Sequence, residues 1–155
     1  MKYLVKTLPF LFIIFFLTNC KKNNTDEHDV SKNETVLKDT TFSDCKNHKN
    51  NSSEQETFSL KFINSNEFGV KHKNTIFNCC PGKLYVVSGF SGDSILINEK
   101  STETSCYCQC PYDINFAISR VSFGNYIFLI KKNDKKHFEF KINLDTNTDT
   151  IIIIN

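Results

Sequence analysis

The sequence predicts an all-β fold, an antiparallel β-sandwich that is cross-linked by disulfides. The 155-residue chain contains 15 Phe and 5 Tyr but no Trp, and such an aromatic core favours strands over helices. Short stretches in which apolar and polar residues alternate recur from residue 57 onwards, with turn residues between them. The chain also contains seven cysteines, which predict disulfides if the protein is exported.

The first twenty residues indicate export. Lys2 and Lys6 give a positively charged start, and residues 8–17 form an apolar run of signal-peptide length, short for a membrane-spanning helix. The run ends in LTNC at residues 17–20, which resembles the lipobox of bacterial lipoproteins. In that class the cysteine carries diacylglycerol and a further acyl chain such as palmitate, so the resemblance implies that Cys20 is lipidated. The alternative is a single N-terminal transmembrane helix.

The predicted organisation has three parts. These are a lipoprotein signal peptide at residues 1–19, a lipid anchor with a flexible polar tether at residues 20–56, and a β-sandwich domain at residues 57–155. The tether consists mainly of Asn, Lys, Asp, Ser, Thr and Glu, so it buries too little apolar surface to offset its backbone entropy. Phe42 and Cys45 are the exceptions, because both side chains could attach this segment to the domain.

The charge of the chain gives no argument for nucleic-acid binding. The net charge is +2, and the predicted signal peptide carries two lysines and no acidic residue, so the mature chain is close to neutral. Binding to nucleic acid would require a clustered basic face. The expected partners are the membrane that holds the lipid anchor and an envelope protein or glycan.

The first predicted strands show one apolar and one polar face. Phe58, Leu60 and Phe62 share a face of the first strand, because successive side chains of a strand point in opposite directions. Pro81-Gly82 interrupts the sheet, and Gly92 lies in the turn of the clearest hairpin. The predicted strands in this half are residues 57–63, 68–72, 84–90 and 95–98.

The later strands continue the pattern. The apolar run at residues 126–130 is unbroken, which indicates a central strand covered on both faces. Eight short strands at this spacing predict a sandwich of about 100 residues that is immunoglobulin-like in general character, with a small barrel as the alternative. The predicted strands in this half are residues 114–119, 126–130, 138–144 and 151–154.

Six cysteines remain once Cys20 is assigned to lipid, and in an exported chain they are disulfide candidates. Alternate residues of an extended segment lie roughly 6.5–7 Å apart, so the three cysteines within residues 106–110 are not expected to bridge one another. We favour two bridges from Cys79 and Cys80 to this segment, with Cys45 in the third bridge. Because Cys45 lies at the end of the tether, we expect its replacement to destabilise the protein much less than joint replacement of Cys79 and Cys80. The candidates are Cys45, Cys79, Cys80, Cys106, Cys108 and Cys110.

The alternative use of the clustered cysteines is a thiolate site for Zn²⁺ or Cu⁺. The spacings CC and CxCxC differ from the CxxC knuckle of common zinc sites, and free thiols would have to survive an oxidising compartment. His48, His72 and His137 are further candidate ligands for such a site. Its cysteines would be Cys79, Cys80, Cys106, Cys108 and Cys110.

Four motifs follow one another between residues 57 and 132. They are Asn78-Cys79-Cys80, a hairpin that ends in residues 95–99, Cys106-x-Cys108-x-Cys110-Pro111-Tyr112-Asp113, and Gly124-Asn125-Tyr126. Together they resemble a recurring domain in uncharacterised lipoproteins of Bacteroidetes-type bacteria. The resemblance implies the fold and an outer-membrane location, and it implies no catalytic residue.

The sequence contains no motif of a known catalytic site. It has no GxSxG nucleophile turn, no Gly-rich phosphate loop, no HExxH pair and no EF-hand loop. We therefore predict no enzymatic activity, no catalytic residue and no cofactor. The predicted function is that of a lipid-anchored lipoprotein of the cell envelope that binds or displays a partner at the outer membrane. The alternative is a periplasmic metal-binding protein that uses the clustered cysteines.

Overall fold

Two β-sheets pack face to face in the computed structural model, which describes residues 35–46, 55–102 and 106–154. Nine strands lie within these residues, and the predicted all-β, disulfide-stapled sandwich is confirmed. The strands are β1 (Val36–Phe42), β2 (Thr57–Asn64), β3 (Glu67–Asn78), β4 (Leu84–Ser91), β5 (Ser94–Ser101), β6 (Gln109–Ser119), β7 (Gly124–Lys132), β8 (Lys135–Leu144) and β9 (Asp149–Ile153).

The five-stranded sheet has the order β1-β6-β3-β2-β9 and is antiparallel throughout. The four-stranded sheet has the order β4-β5-β7-β8, and its central pair β5–β7 is parallel. The parallel pair differs from the expectation of a wholly antiparallel sandwich. Its cause is the connection, because the chain leaves β5, crosses to the other sheet as β6 and returns as β7 in the same direction.

The core lies between the inner faces of the two sheets. Phe58 and Leu60 of β2 are fully buried, which confirms the predicted alternation of that strand. From the other sheet, Phe140 of β8 packs against Phe58 with ring centroids 5.7 Å apart, and Phe128 of β7 stacks on Phe140. Strand β7 is central as predicted, but only its inner face is fully buried and the residues of its outer face are half-buried. Aromatic packing between the sheets is therefore a main source of apolar burial.

Strand β3 is longer than expected, because it continues past His72 to Asn78. A bulge interrupts its pairing with β6 between His72 and Thr75, and Asn74 in this bulge has a φ of 58°. A β-bulge bends a strand and redirects its side chains, and bulges are common beside functional sites. The bulge places the following residues of β3 in a new register against β6.

Residues 36–42, which were expected in the flexible tether, form β1 instead. β1 pairs with β6, and Leu37 and Phe42 pack against the core. The apolar surface that Leu37 and Phe42 bury offsets the backbone entropy that this otherwise polar segment loses when it becomes ordered. The folded domain therefore includes residues on the N-terminal side of residue 57.

Several sequence predictions lie outside the described residues. They concern the signal peptide at residues 1–19, the lipidation site Cys20, and His48. Within residues 35–46, 55–102 and 106–154, no helix has the length and apolar character needed to cross a membrane.

Candidate functional site

All six candidate cysteines are joined in three disulfides. Each member of the adjacent pair Cys79 and Cys80 bridges to the segment at residues 106–110, which is the scheme favoured from the sequence. The Cα atoms of the bridged residues lie 5.5 to 6.3 Å apart, which is ordinary disulfide spacing. The bridges are Cys45–Cys110, Cys79–Cys108 and Cys80–Cys106.

The two bridges of the adjacent pair lie side by side where β3 ends and β6 begins. Backbone pairing extends this far, because the N–H of Cys79 donates to the carbonyl of Cys108 over 3.1 Å. The four sulfur atoms of the two bridges lie within 4.8 Å of one another. A sulfur atom in a disulfide is not a thiolate, so this cluster binds no metal while the bridges are intact.

A second cluster of titratable groups lies between the two sheets. The Oε1 atom of Glu56 is 2.9 Å from Nε2 of His72 and 2.9 Å from Nε2 of His137. Nζ of Lys132 is 3.4 Å from the same carboxylate oxygen and 3.4 Å from Nε2 of His137. On the far side of the imidazole, Nδ1 of His72 donates to Oε1 of Glu99 over 2.7 Å. The two sheets thus contribute acidic and basic groups to one cluster.

The five residues reach this place from both sheets. Glu56 directly precedes β2, and its carbonyl accepts a hydrogen bond from the N–H of Ile154 over 3.0 Å. His72 lies on β3 immediately before the bulge. Glu99 lies on β5, while Lys132 and His137 lie on either side of the turn between β7 and β8.

That turn is attached to β5 by several hydrogen bonds. Asn133 and Asp134 both have positive φ, as the residues of a tight hairpin turn do. The N–H of Asn133 donates to the carbonyl of Glu99 over 2.9 Å, and Nδ2 of Asn98 donates to Oδ1 of Asp134 over 2.8 Å. These contacts fix Lys132 and His137 beside Glu99.

His72 is the most enclosed member of the cluster. Its side chain is fully buried, and the rings of Phe58 and Phe138 stand edge-on to it with centroids 5.4 and 5.8 Å away. Its Nε2 is close to Glu56, but it is not aligned for a hydrogen bond with any group of the described residues. A buried imidazole nitrogen without a hydrogen-bond partner is costly unless another ligand satisfies it.

The charges of the cluster shift the pKa values of two groups. Burial alone would raise the pKa of Glu56, but His72, Lys132 and His137 lower it to about 2. Burial alone would lower the pKa of His72, but its contacts with Glu56 and Glu99 raise it. Glu56 is therefore ionised at neutral pH, and its charge faces two imidazole rings.

Comparisons of the chain with protein-family models, with curated proteins and with solved structures found no match.

The sequence pointed to only part of this cluster. His72 and His137 were named as additional ligands for a cysteine site, but they lie together with Glu56 instead. Glu56, Glu99 and Lys132 were missed, and Glu56 had been assigned to the flexible tether. The position of Glu99 could have been noticed in the sequence, because Glu99 follows Ile95 and Ile97 at two-residue spacing and therefore shares their strand face. Those two residues are buried, and a carboxylate is unexpected on a buried face.

Proposed function

We propose that this protein is a lipid-anchored lipoprotein of the cell envelope, and that its sandwich is a non-catalytic binding or display module. The observation that carries the proposal is the combination of three disulfides with the LTNC motif at residues 17–20. Disulfides persist in exported proteins and are rare in reducing compartments. The polar residues that follow Cys20 would separate the folded domain from the lipid headgroups.

The proposed location is the outer membrane. It is supported by the resemblance to Bacteroidetes-type lipoproteins and by Lys21, which stands where an Asp would resemble an inner-membrane retention signal. The proposed partner is an envelope protein or glycan.

The second candidate function is metal binding by the clustered cysteines. The observation in its favour is the close approach of the sulfur atoms of Cys79, Cys80, Cys106 and Cys108. This function would require reduction of both bridges, because thiolates and not disulfides bind Zn²⁺ or Cu⁺.

Metabolic labelling with palmitate tests the anchor. The full chain is expressed in a bacterium with a lipoprotein pathway, and we expect label on the protein and recovery with the outer membrane. The variant Cys20→Ala should lose the label, because the proposed acyl attachment point is gone. Cys45→Ala is the matched control, since it removes a cysteine but leaves the LTNC motif intact. An unlabelled wild-type protein, or a labelled Cys20→Ala variant, would refute the lipoprotein assignment.

Intact-mass spectrometry separates the two candidate functions. Three disulfides lower the mass by two hydrogens each and leave no thiol to alkylate among the six bridged cysteines. Alkylatable thiols together with co-purified Zn²⁺ or Cu⁺ would instead support the metal-binding alternative.

A further inference from the structure

We propose that Glu56, His72 and His137 bind a divalent first-row transition metal ion, for which Zn²⁺ is the test ion. This site is distinct from the cysteine cluster, and it does not depend on the lipid anchor. Two imidazole nitrogens and one carboxylate oxygen are a common donor set for such ions, with further positions left for water or a bound ligand.

The three donor atoms already converge. Oε1 of Glu56, Nε2 of His72 and Nε2 of His137 all lie within 4.8 Å of one another. In a tetrahedral zinc site with bonds of about 2.0–2.1 Å, ligand atoms are separated by about 3.3 Å. Both histidine nitrogens lie 2.9 Å from the carboxylate oxygen, so small side-chain movements admit the ion.

His72 supplies the independent evidence that a ligand belongs here. Its side chain is fully buried, and its Nε2 faces Glu56 and lacks an aligned hydrogen-bond partner among the described residues. A metal ion would satisfy this nitrogen.

Glu99 completes the arrangement as a positioning residue. It accepts the hydrogen bond from Nδ1 of His72, which fixes the ring so that Nε2 is presented to the other two donors. Histidine ligands of metals almost always donate their second ring N–H to a carboxylate, a carbonyl or water. Glu99 is itself fully buried, and Thr75 Oγ1 lies 3.5 Å from its other oxygen.

Lys132 is the group that an incoming ion must displace. Its ammonium lies 3.4 Å from both Glu56 Oε1 and His137 Nε2, so it competes for the same negative charge. The ring of Phe77, whose centroid is 5.5 Å from Nζ, provides a second surface for the ammonium. A polar cleft beside the cluster is lined in part by Phe77, Lys132 and His137. The side chains of Glu56 and His137 are 18% and 24% exposed, so solvent reaches two of the three donor residues.

The test uses the mature full-length protein in detergent, stripped of metal by a chelator and shown by alkylation to have no free thiol. Zn²⁺ is titrated calorimetrically, and Co²⁺ is followed by its visible absorption. We expect one ion per chain, and a Co²⁺ spectrum without thiolate charge-transfer bands because the ligands are nitrogen and oxygen.

Variants then assign the ligands. His137→Gln should weaken Zn²⁺ binding by more than the roughly 10–100-fold that loss of an orienting partner costs, and Glu99→Gln should fall within that range. Lys132→Met should strengthen binding by about tenfold or more, because it removes the competing charge. A gain of affinity cannot result from a failure to fold.

Two controls match these variants. Lys136→Met removes an exposed lysine from the same hairpin, one that pairs with Glu139, and His48→Gln removes a histidine of the predicted tether. Both should bind Zn²⁺ like the wild type. The proposal is overturned if the wild-type protein binds no Zn²⁺, if His137→Gln binds it unchanged, or if Lys132→Met gives no increase.

Discussion

Asp113 shows how one side chain can stabilise an irregular piece of backbone. It lies within β6, and its Oδ1 accepts hydrogen bonds from Nζ of Lys46 over 2.6 Å and from the N–H of Asn74 over 3.0 Å. Asn74 lies in the bulge of β3, where the regular ladder leaves backbone groups unpaired. Asp113 therefore satisfies a bulge N–H and holds residue 46 against the sheet.

The pKa of Asp113 makes this role measurable. Burial acts to raise it, but Lys46, the N–H of Asn74 and the charge of Lys71 lower it below the ordinary value of 3.8. A carboxylate with a lowered pKa stabilises the folded state at pH values above its unfolded pKa. That contribution declines as the pH falls through the unfolded and then the folded pKa.

We expect Asp113→Asn to lower the free energy of unfolding by about 1–2 kcal/mol at neutral pH, because the amide keeps an acceptor but loses the charge. The difference from wild type should be constant well above the ordinary pKa of 3.8 and should decline as the pH falls through that value and then through the lower folded pKa. Urea unfolding at a series of pH values measures it. Asp149→Asn, on the exposed start of β9, is the control and should cost much less. A difference that does not depend on pH would contradict the assigned role of the charge.

At the scale of elements, β1 closes the five-stranded sheet on one side. It covers the outer edge of β6, and Thr35 just before it donates from Oγ1 to Oγ of Ser88 in β4 over 2.6 Å. An uncovered edge strand exposes unpaired N–H and carbonyl groups to other chains. β1 therefore protects an edge and also contacts the second sheet.

Removal of β1 should destabilise the domain and promote association. We expect a mature chain that lacks residues 21–46 to unfold at lower denaturant concentration than one that lacks residues 21–34, and to form oligomers through β6. The variant Cys45→Ser in the intact chain separates the loss of the strand from the loss of its disulfide. Denaturant unfolding and light scattering provide the readouts. Equal midpoints for the two deletions would show that β1 contributes little to stability.

At the scale of the molecule, the three disulfides divide into one long-range bridge and one adjacent pair. Cys45–Cys110 joins residues 65 positions apart, whereas the bridges of Cys79 and Cys80 span 29 and 26 positions. Once either bridge of the pair has formed, the other closes only a very small additional loop. The Cys45 bridge has no such neighbour to replace it.

Compared bridge by bridge, the Cys45–Cys110 bridge should therefore contribute more stability than either single bridge of the adjacent pair. In the chain-entropy model, loss of the Cys45–Cys110 bridge costs about 4 kcal/mol, and loss of one bridge of the adjacent pair costs about 2 kcal/mol. Double replacement Cys45→Ala and Cys110→Ala should lower the melting temperature by more than about 10 °C. Cys80→Ala with Cys106→Ala is the matched comparison and should lower it less. A larger loss in the second variant would show that the pair of bridges is not redundant.

Loss of both bridges of the adjacent pair, Cys79–Cys108 and Cys80–Cys106, should still destabilise the folded protein strongly. The variant Cys79→Ser with Cys80→Ser should also lower the melting temperature by more than about 10 °C under oxidising conditions, because two loops open together. Calorimetry of the oxidised protein measures this. An unchanged melting temperature would mean that these bridges do not stabilise the fold.

The sequence alone determined the class of the fold and most of its strands. Phe58 and Leu60 are buried as their alternation required, because the side-chain period of a strand is a local property. The cysteine pairings were also limited by local features, namely the redox chemistry of an exported chain and the extended geometry of residues 106–110.

Only the tertiary structure decided which strands are neighbours and which polar groups meet. The parallel pairing of β5 with β7 and the inclusion of β1 depend on contacts between residues far apart in sequence. The cluster of Glu56, His72 and His137 depends on the packing of one sheet on the other and on the turn that is attached to β5. No local pattern encodes such proximity, because each residue occupies an ordinary position on its own strand or beside it.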